Sequence, residues 1–309
     1  PASGCPAISP QACDPGSLFQ SLSCQSLFIL REILRGSPQD GGSAPSACTH
    51  RHQTIAYITF SIPRMEFPVL SNDIYDPAYV KQVFDNCGRA YRTWSAFASL
   101  GFIWRWRRKC IRDLPKTDLT GAQGVDLMAG TGELWPHLLR AHPGVAKITA
   151  IDISHTMHLE AVERLHKSRS EKIAHLEINA LESNLPEEEA DFVVSTFGLK
   201  TFNPAQQKIL AYEIARILKP GAPFALIEAS DPKGWIFRPL FRFYMDRVLP
   251  LIERFVLRGA QDFAMVGIYS RDFGDSRHFA DCLCEAGLDV TMTHDFFGCA
   301  TGVAGRKPM

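Results

Sequence analysis

The sequence predicts an α/β protein, a mostly parallel sheet with helices packed on both of its faces. Three observations carry this. First, Val125-Asp-Leu-Met-Ala-Gly-Thr-Gly-Glu-Leu-Trp135 is an apolar run that ends in a glycine-rich turn and passes into helix-forming residues, the way a strand hands a nucleotide-type ligand to a helix N-terminus. Second, Lys147-Ile-Thr-Ala-Ile-Asp152 is an alternating β-rich run that ends in an acid 20 residues after Gly132, where a carboxylate can accept hydrogen bonds from two ribose hydroxyls. Third, strand-like and helix-like stretches alternate from Val125 to the C-terminus. A dinucleotide site is disfavoured because Trp135 stands where the third glycine of G-x-G-x-x-G would be, and the lack of Gly-Lys-Ser/Thr excludes a P-loop.

The chain has 309 residues, 46% hydrophobic, enough for a full core. Lys+Arg and Asp+Glu are 33 each, so no global charge argues for nucleic acid. No run reaches the roughly 18 apolar residues of a membrane span, which leaves peripheral contact with a membrane surface open. The nine cysteines have irregular spacing, so reduced thiols in a cytosol-like compartment are expected, with neither a disulfide framework nor a metal site.

Residues 1 to 64 stand apart: Ser, Pro, Gly and Cys supply 26 of them, and the first methionine is Met65. One expectation is that the natural start is Met65 and the upstream stretch a read-through artefact. The other is a mitochondrial-type leader, with Ser17 to Gly36 forming a short amphipathic helix. Either way, weak order is expected there, with the folded domain covering 65 to 309.

From Asp76, apolar residues recur at three- and four-residue spacing through Phe97-Ala98, which predicts a helix. A second helix holds Phe102-Ile-Trp-Arg-Trp-Arg-Arg-Lys-Cys-Ile-Arg112. Its basic cluster, interleaved with Trp104 and Trp106, reads either as a membrane-surface face or as a solvated basic face whose tryptophans pack on the core. Residues 74 to 122 together are expected to cap the substrate. Beyond Asp152 a helix runs from about His155 to Ser168, capped by Ser154, with His155, His158 and His166 read as surface residues. The third strand, Ala174 to Ile178, ends at Asn179-Ala180, and the fourth, Ala190 to Phe197, exits at Phe197-Gly-Leu-Lys-Thr-Phe202. Pro204 opens a helix that Lys219-Pro-Gly221 stops, and Ala222 to Ser230 is the fifth strand. Residues 232 to 270 contain an aromatic insertion, Trp235 to Phe263, which reads equally as a lid or as extra core. A helix near Phe273 to Ala286, a strand Leu288 to Thr293 and a final strand Gly298 to Ala304 close the chain as a hairpin.

In order, the glycine turn, the acid ending strand two, the Phe197-Gly-Leu turn and Ile217-Leu-Lys-Pro-Gly221 resemble a class I S-adenosylmethionine-dependent methyltransferase, and most closely the ubiquinone/menaquinone-biosynthesis C-methyltransferase family. The resemblance spans about residues 74 to 305. It implies a Rossmann-like fold, seven strands with the last antiparallel, and S-adenosyl-L-methionine as cofactor. It implies that Asp126, Ala129, Gly130, Thr131 and Gly132 meet the methionine part, that Asp152 and Ile153 meet the ribose, and that Met157, Asn179 and Ala180 meet the adenine. Thr196 and Phe197 would close the pocket near the sulfonium. The acceptor it implies is a lipophilic, phenolic or quinol-like molecule methylated at carbon or oxygen, without a metal.

Three departures fall on the substrate side: Arg92 follows Tyr91 where the family has Tyr-Asp, and Lys200-Thr201 replace its Arg-Asn. Lys200 is therefore the expected base for a phenolic proton under the aromatic lid, and Tyr91 the donor to the developing oxyanion. The competing readings are a Lys200 that snorkels to solvent and pairs with a nearby acid, and a catalytically weak scaffold in a biosynthetic complex. The location expected is cytoplasmic, with membrane association and a homodimer left open.

Overall fold

The computed structural model describes residues 73–168, 170–256 and 263–309. The two expectations for residues 1 to 64 lie outside the described residues.

Seven strands form one sheet: β1 (Gln123–Leu127), β2 (Lys147–Asp152), β3 (Ile173–Glu177), β4 (Phe192–Thr196), β5 (Pro223–Ala229), β6 (Asp289–Asp295) and β7 (Ala300–Arg306). Their order is β3-β2-β1-β4-β5-β7-β6. β1 to β5 pair in parallel, and β7 runs antiparallel to both β5 and β6. The seven-stranded, mostly parallel Rossmann-like sheet is thus as expected, with the antiparallel strand last.

The helices are α1 (Pro77–Ala98), α2 (Phe102–Asp113), α3 (Trp135–Ala141), α4 (His155–Ser168), α5 (Pro204–Ile217), α6 (Arg238–Phe243), α7 (Leu249–Val256), α8 (Phe263–Phe273) and α9 (Arg277–Glu285). α2, α3 and α4 cover one sheet face through Ile103, Trp106, Leu138 and Ala161, which pack on Ile148, Phe192 and Val194. α5 and α9 cover the other through Leu210, Ile214, Phe279 and Leu283 on Leu127, Val193 and Phe224. Covering both faces takes β4 and β5 out of water along almost their whole length, which is why they read as near-continuous apolar runs.

Several ends have visible local causes. Asp76 caps α1 by accepting from Ala78 N and Tyr79 N. Asn203 and Gln206 form a reciprocal capping box around Pro204 at the start of α5. The helix expected near Phe273 to Ala286 begins instead at Arg277, because Phe273 ends α8 and Gly274 turns the chain at φ 70° before α9. The last strand begins at Ala300 rather than Gly298, because Phe297 and Gly298 both have positive φ and form the hairpin turn.

A third apolar cluster stands off the sheet. Val80, Val83, Cys87, Tyr91 and Trp94 of α1 pack against Met157 of α4, Leu249, Met265 and Tyr269. The segment after β5 is therefore divided: Trp235 and Phe241 pack against the cluster on the α2 face of the sheet, while Tyr244 and Met245 of the one turn of π-helix, with Leu249, pack on α1. Within residues 74 to 122, α1 packs in this third cluster and α2 in the core of one sheet face.

Candidate active site

Strand order reverses between β1 and β4, and the crevice beyond their carboxyl ends is where open α/β sheets take ligands. A cavity of about 840 Å³, its open mouth included, lies there. Its strand-end wall contains Ala129, Gly130, Asp152, Ile153, Asn179, Ala180, Thr196 and Phe197, with Met157 beside them, and Tyr91 comes from α1. Ten of the residues singled out from the sequence thus converge on one space.

Asp152 joins the turn after β1 to the end of β2. Its Oδ2 accepts from Gly130 N at 2.8 Å and its Oδ1 from Ser154 N at 2.9 Å. Burial pushes its carboxyl up to about 6, against the pull of those two N–H donors. Ser154 caps α4, accepting from Met157 N at 3.2 Å and donating to Asp85 at 2.7 Å, so α1 is tied to the same corner. Asn179 lines the cavity, and its Oδ1 accepts from Leu181 N at 3.0 Å, which leaves the amide NH2 as its donor.

Four expected site residues do not line the cavity: Asp126, Thr131, Gly132 and Lys200. Asp126 is 1% exposed and accepts from Trp135 Nε1 at 2.8 Å, while its Oδ1 has no hydrogen-bond partner among the described residues. Burial pushes this carboxyl up to about 8. Thr131 is buried, with its hydroxyl donating to Glu133 and its carbonyl accepting from Arg164. The two glycines serve different ends. A Cβ on Gly130, at φ 56°, would meet nothing within 4 Å, whereas one on Gly132, at φ 78°, would lie 2.2 Å from the Trp135 ring. Trp135 therefore does not block the turn; it fills the space that Gly132 leaves.

Lys200 is 2% exposed, and its Nζ donates to Phe197 O at 2.6 Å and pairs with Glu228 Oε1 at 2.9 Å. Its backbone N–H donates to Glu228 Oε2 at 3.0 Å. The amine braces the exit of β4 and does not line the cavity. That exit needs bracing, because Phe197 sits at φ 67°, a region that costs a bulky L-residue free energy. Facing it, Met128 has φ 51°, a conformation that glycine would take without steric cost. Gly198 permits the approach, since a Cβ there would stand 2.3 Å from Met128 Cβ.

Several lining residues were not picked out from sequence. Arg107 of α2 is 3% exposed, lies 5.6 Å from the centre of the Phe197 ring, and has a buried Nε without a hydrogen-bond partner among the described residues. Its charge is met by Glu133 at 3.4 Å, and Glu133 also pairs with Arg164 at 3.1 Å. Buried Arg107 and partly exposed Arg164 share this one carboxylate, and Arg107 lies beside Tyr91, whose hydroxyl burial holds protonated. The only hint was the run of cations in α2: Trp106 and Arg107 face inward, while Trp104, Arg105 and Arg108 face out. His158, expected at the surface, is half-buried with its Nδ1 2.9 Å from that of His175. His175 in turn bonds Gly130 O at 3.1 Å and supports the turn from below.

The chain matches the ubiE/COQ5 methyltransferase family over residues 72–306. The demethylmenaquinone methyltransferase of Lactococcus lactis is 28% identical over 210 residues, 68% of this chain and 81% of the relative. That of Bacillus licheniformis is 27% identical over 232 residues, 74% of this chain and 97% of the relative. Among solved structures, the pyocyanin biosynthetic protein PhzM has a TM-score of 0.52 at 14% identity, covering 74% of this chain and 61% of that one. Phosphoethanolamine N-methyltransferase 2 of Haemonchus contortus, in complex with S-adenosyl-L-methionine, has a TM-score of 0.50 at 14% identity, covering 67% of this chain and 53% of that one. These two structures speak to fold alone. With its family matched over most of its length and a sheet and switch-point cavity of the same class, the chain belongs to the ubiE/COQ5 methyltransferase family and is an S-adenosylmethionine-dependent methyltransferase.

Proposed function

We propose that the acceptor is a lipophilic phenol or quinol, methylated at carbon or oxygen. The observation that carries this reading is the two-sided lining of one cavity, with polar strand ends on one side and Val80, Phe84 and Tyr91 of α1 on the other. The names of the relatives, which are quinone methyltransferases, agree with it.

The residues present fit an adenosyl cofactor. Asp152 keeps lone pairs for a ribose diol beyond the two it uses internally, Gly130 leaves room for close approach, and the Asn179 amide suits a ring nitrogen. Met157 and Ala180 would flank the ring, with Ala129, Ile153 and Thr196 completing the surface. When bound, the cofactor supplies an activated methyl group. Everything else falls to the protein, which must orient the acceptor and exclude water.

Arg107 and Tyr91 are the groups suited to the acceptor oxygen. A buried positive charge favours the ionised form of a phenol beside it, and a phenolate is nucleophilic at oxygen and at the ortho carbon. Tyr91, held neutral by burial, serves as a hydrogen-bond donor to that oxygen and not as a base. Lys200 is assigned to positioning: it holds the Phe197 carbonyl and thereby the shape of the β4 exit.

The test is incubation of the protein with methyl-labelled cofactor and a lipid extract, followed by mass spectrometry. Label in a lipophilic phenol is expected. Label confined to polar metabolites, or tight cofactor binding with no labelled product, would overturn the acceptor assignment.

A further inference from the structure

The middle of α1 is fastened to the corner where Asp152 ends β2. Lys81, Asp85 and Gly88 recur at four- and three-residue spacing, so they share one stripe of the helix, and that stripe meets the start of α4 and the end of β3. The neighbouring stripe, Val80, Phe84 and Tyr91, lines the cavity. One helix therefore joins the Asp152 corner to the far wall of the site.

Gly88 shows how near the two helices come. A Cβ there would stand 2.1 Å from Thr156 Cγ2, so glycine is kept in the helix interior, where it weakens the helix, to permit the approach. Asp85 makes use of it. Its Oδ1 accepts from the Ser154 hydroxyl at 2.7 Å and from Thr156 N at 3.0 Å, and Lys81 stands 3.3 Å from its Oδ2. The start of α4 is thus capped twice, by Ser154 on Met157 N and by a carboxylate from another helix on Thr156 N. Burial pushes the Asp85 carboxyl up, but the bonds from Ser154 and Thr156 and the Lys81 charge outweigh it and hold the group below the usual carboxylate range. Asp85 is therefore ionised, the form that accepts most strongly.

The same Ser154 gives its backbone N–H to Asp152 Oδ1 at 2.9 Å. One residue thus separates Asp85 from the carboxylate assigned to the ribose. A second link runs alongside, Lys81 to Glu177 at 2.9 Å and Glu177 to His155 at 2.6 Å. Its side chains are a third or more exposed, where water and salt weaken them.

We propose that Asp85 is a positioning residue that couples the two ends of the site, carrying the immobilisation of Asp152 by bound cofactor through Ser154 to α1 and its wall of Val80, Phe84 and Tyr91. The ribose fixes the Asp152 carboxylate, Asp152 fixes the Ser154 turn, and the Ser154 hydroxyl fixes the helix. Cofactor binding then strengthens α1 against local opening, and by reciprocity a wall in place strengthens the hold on the cofactor. The inference rests on the reading of that wall as the acceptor's, but its test uses no acceptor, so its failure is distinct from a wrong acceptor class.

The experiment is hydrogen exchange of the full chain, read by mass spectrometry at peptides within residues 80–91, with and without saturating S-adenosylhomocysteine, the demethylated cofactor. In the parent the ligand should slow exchange there at least about fivefold, the lower end of ordinary coupling between sites. Asp85→Ala should cut that gain to less than about twofold, at ligand concentrations that calorimetry shows to be saturating. Ser154→Ala breaks the same link from the other side and should lose the gain equally, with no further loss in the double variant. Asp85→Asn keeps an acceptor oxygen for Ser154 and Thr156 and should keep most of the gain. A residue that only caps α4 gives another pattern, faster exchange in the free and bound chains alike with the ligand's gain intact. That pattern overturns the proposal, as does a parent whose α1 the ligand leaves unprotected or an Asn variant that behaves like Ala.

Discussion

At the end of β1 the chain turns on Gly130 and is held by the carboxylate of Asp152 on the neighbouring strand, through a backbone N–H. At the end of β4 it turns on Phe197, a bulky residue at φ 67°, and is held by the ammonium of Lys200, which is itself buried against Glu228. The first exit joins Met128 at φ 51° to a glycine that bears positive φ without steric cost, and is closed by one charge-assisted hydrogen bond. The second holds an unfavourable backbone conformation in place with a desolvated ion pair. Changes at Gly130 and Asp152 should therefore show in ligand binding, whereas loss of the Lys200–Glu228 pair should show in folding.

The largest expected effect follows from that difference. Lys200→Met leaves Glu228, 0% exposed, without its cation, and breaking a buried pair costs about 3–5 kcal/mol. Unfolding in urea would register the loss, and replacing Glu228 by Leu in the same chain should recover much of it. A Lys200→Met protein of normal stability but with turnover lowered by roughly two to four decades would restore Lys200 as a general base.

Next comes the pair of glycines. Gly132→Ala must place a Cβ 2.2 Å from the Trp135 ring at φ 78°, and backbone strain with overpacking should cost about 2–4 kcal/mol. Gly130→Ala meets no atom within 4 Å and should cost only about 1 kcal/mol, from the backbone alone. Equal losses in thermal unfolding would remove the distinction between a packing glycine and a cavity glycine.

Asp152→Ala should weaken cofactor binding by roughly 1.5–3 kcal/mol, one to two decades, which calorimetry can measure. Wild-type affinity in that variant would detach the β2 end from the cofactor site.

The smallest effect per step is a pH slope. Asp126 ionises at about 8 in the folded protein and near 4 when unfolded, so between those values the folded state keeps a proton that the unfolded state has lost. Stability therefore falls as pH rises from about 4 through about 8, by at most roughly 1.4 kcal/mol per unit from this group. Asp126→Asn should flatten that part of the profile in urea titrations at several pH values. An unchanged slope would place the titration elsewhere.

The sheet was legible because its causes are local. Alternation and apolar runs marked β1 to β5, Pro204 and Gly221 bounded α5, and Asp152 followed the glycine turn at the spacing of two neighbouring parallel strands. Gly130, Asp152, Asn179 and Phe197 could be assigned to one cavity because, in a parallel sheet, every strand exit opens on the same edge. Tyr91 was reached through the family resemblance alone, and it too lines that cavity.

What the sequence by itself determined, then, is the succession of elements, the edge on which the cavity lies and the residues that end each strand. Only the tertiary structure decided which of those residues face inward. Asp126 and Thr131 turn into the protein because Trp135 and Glu133 take their polar atoms, and Lys200 is drawn under Phe197 by an acid 28 residues away. Arg107 is the converse case: it looked like one cation among several in α2, and became the buried cation of the cavity only once that helix packed on the sheet. Side-chain direction on a helix and the partner of a buried charge depend on residues distant in the chain, and periodicity carries no record of them.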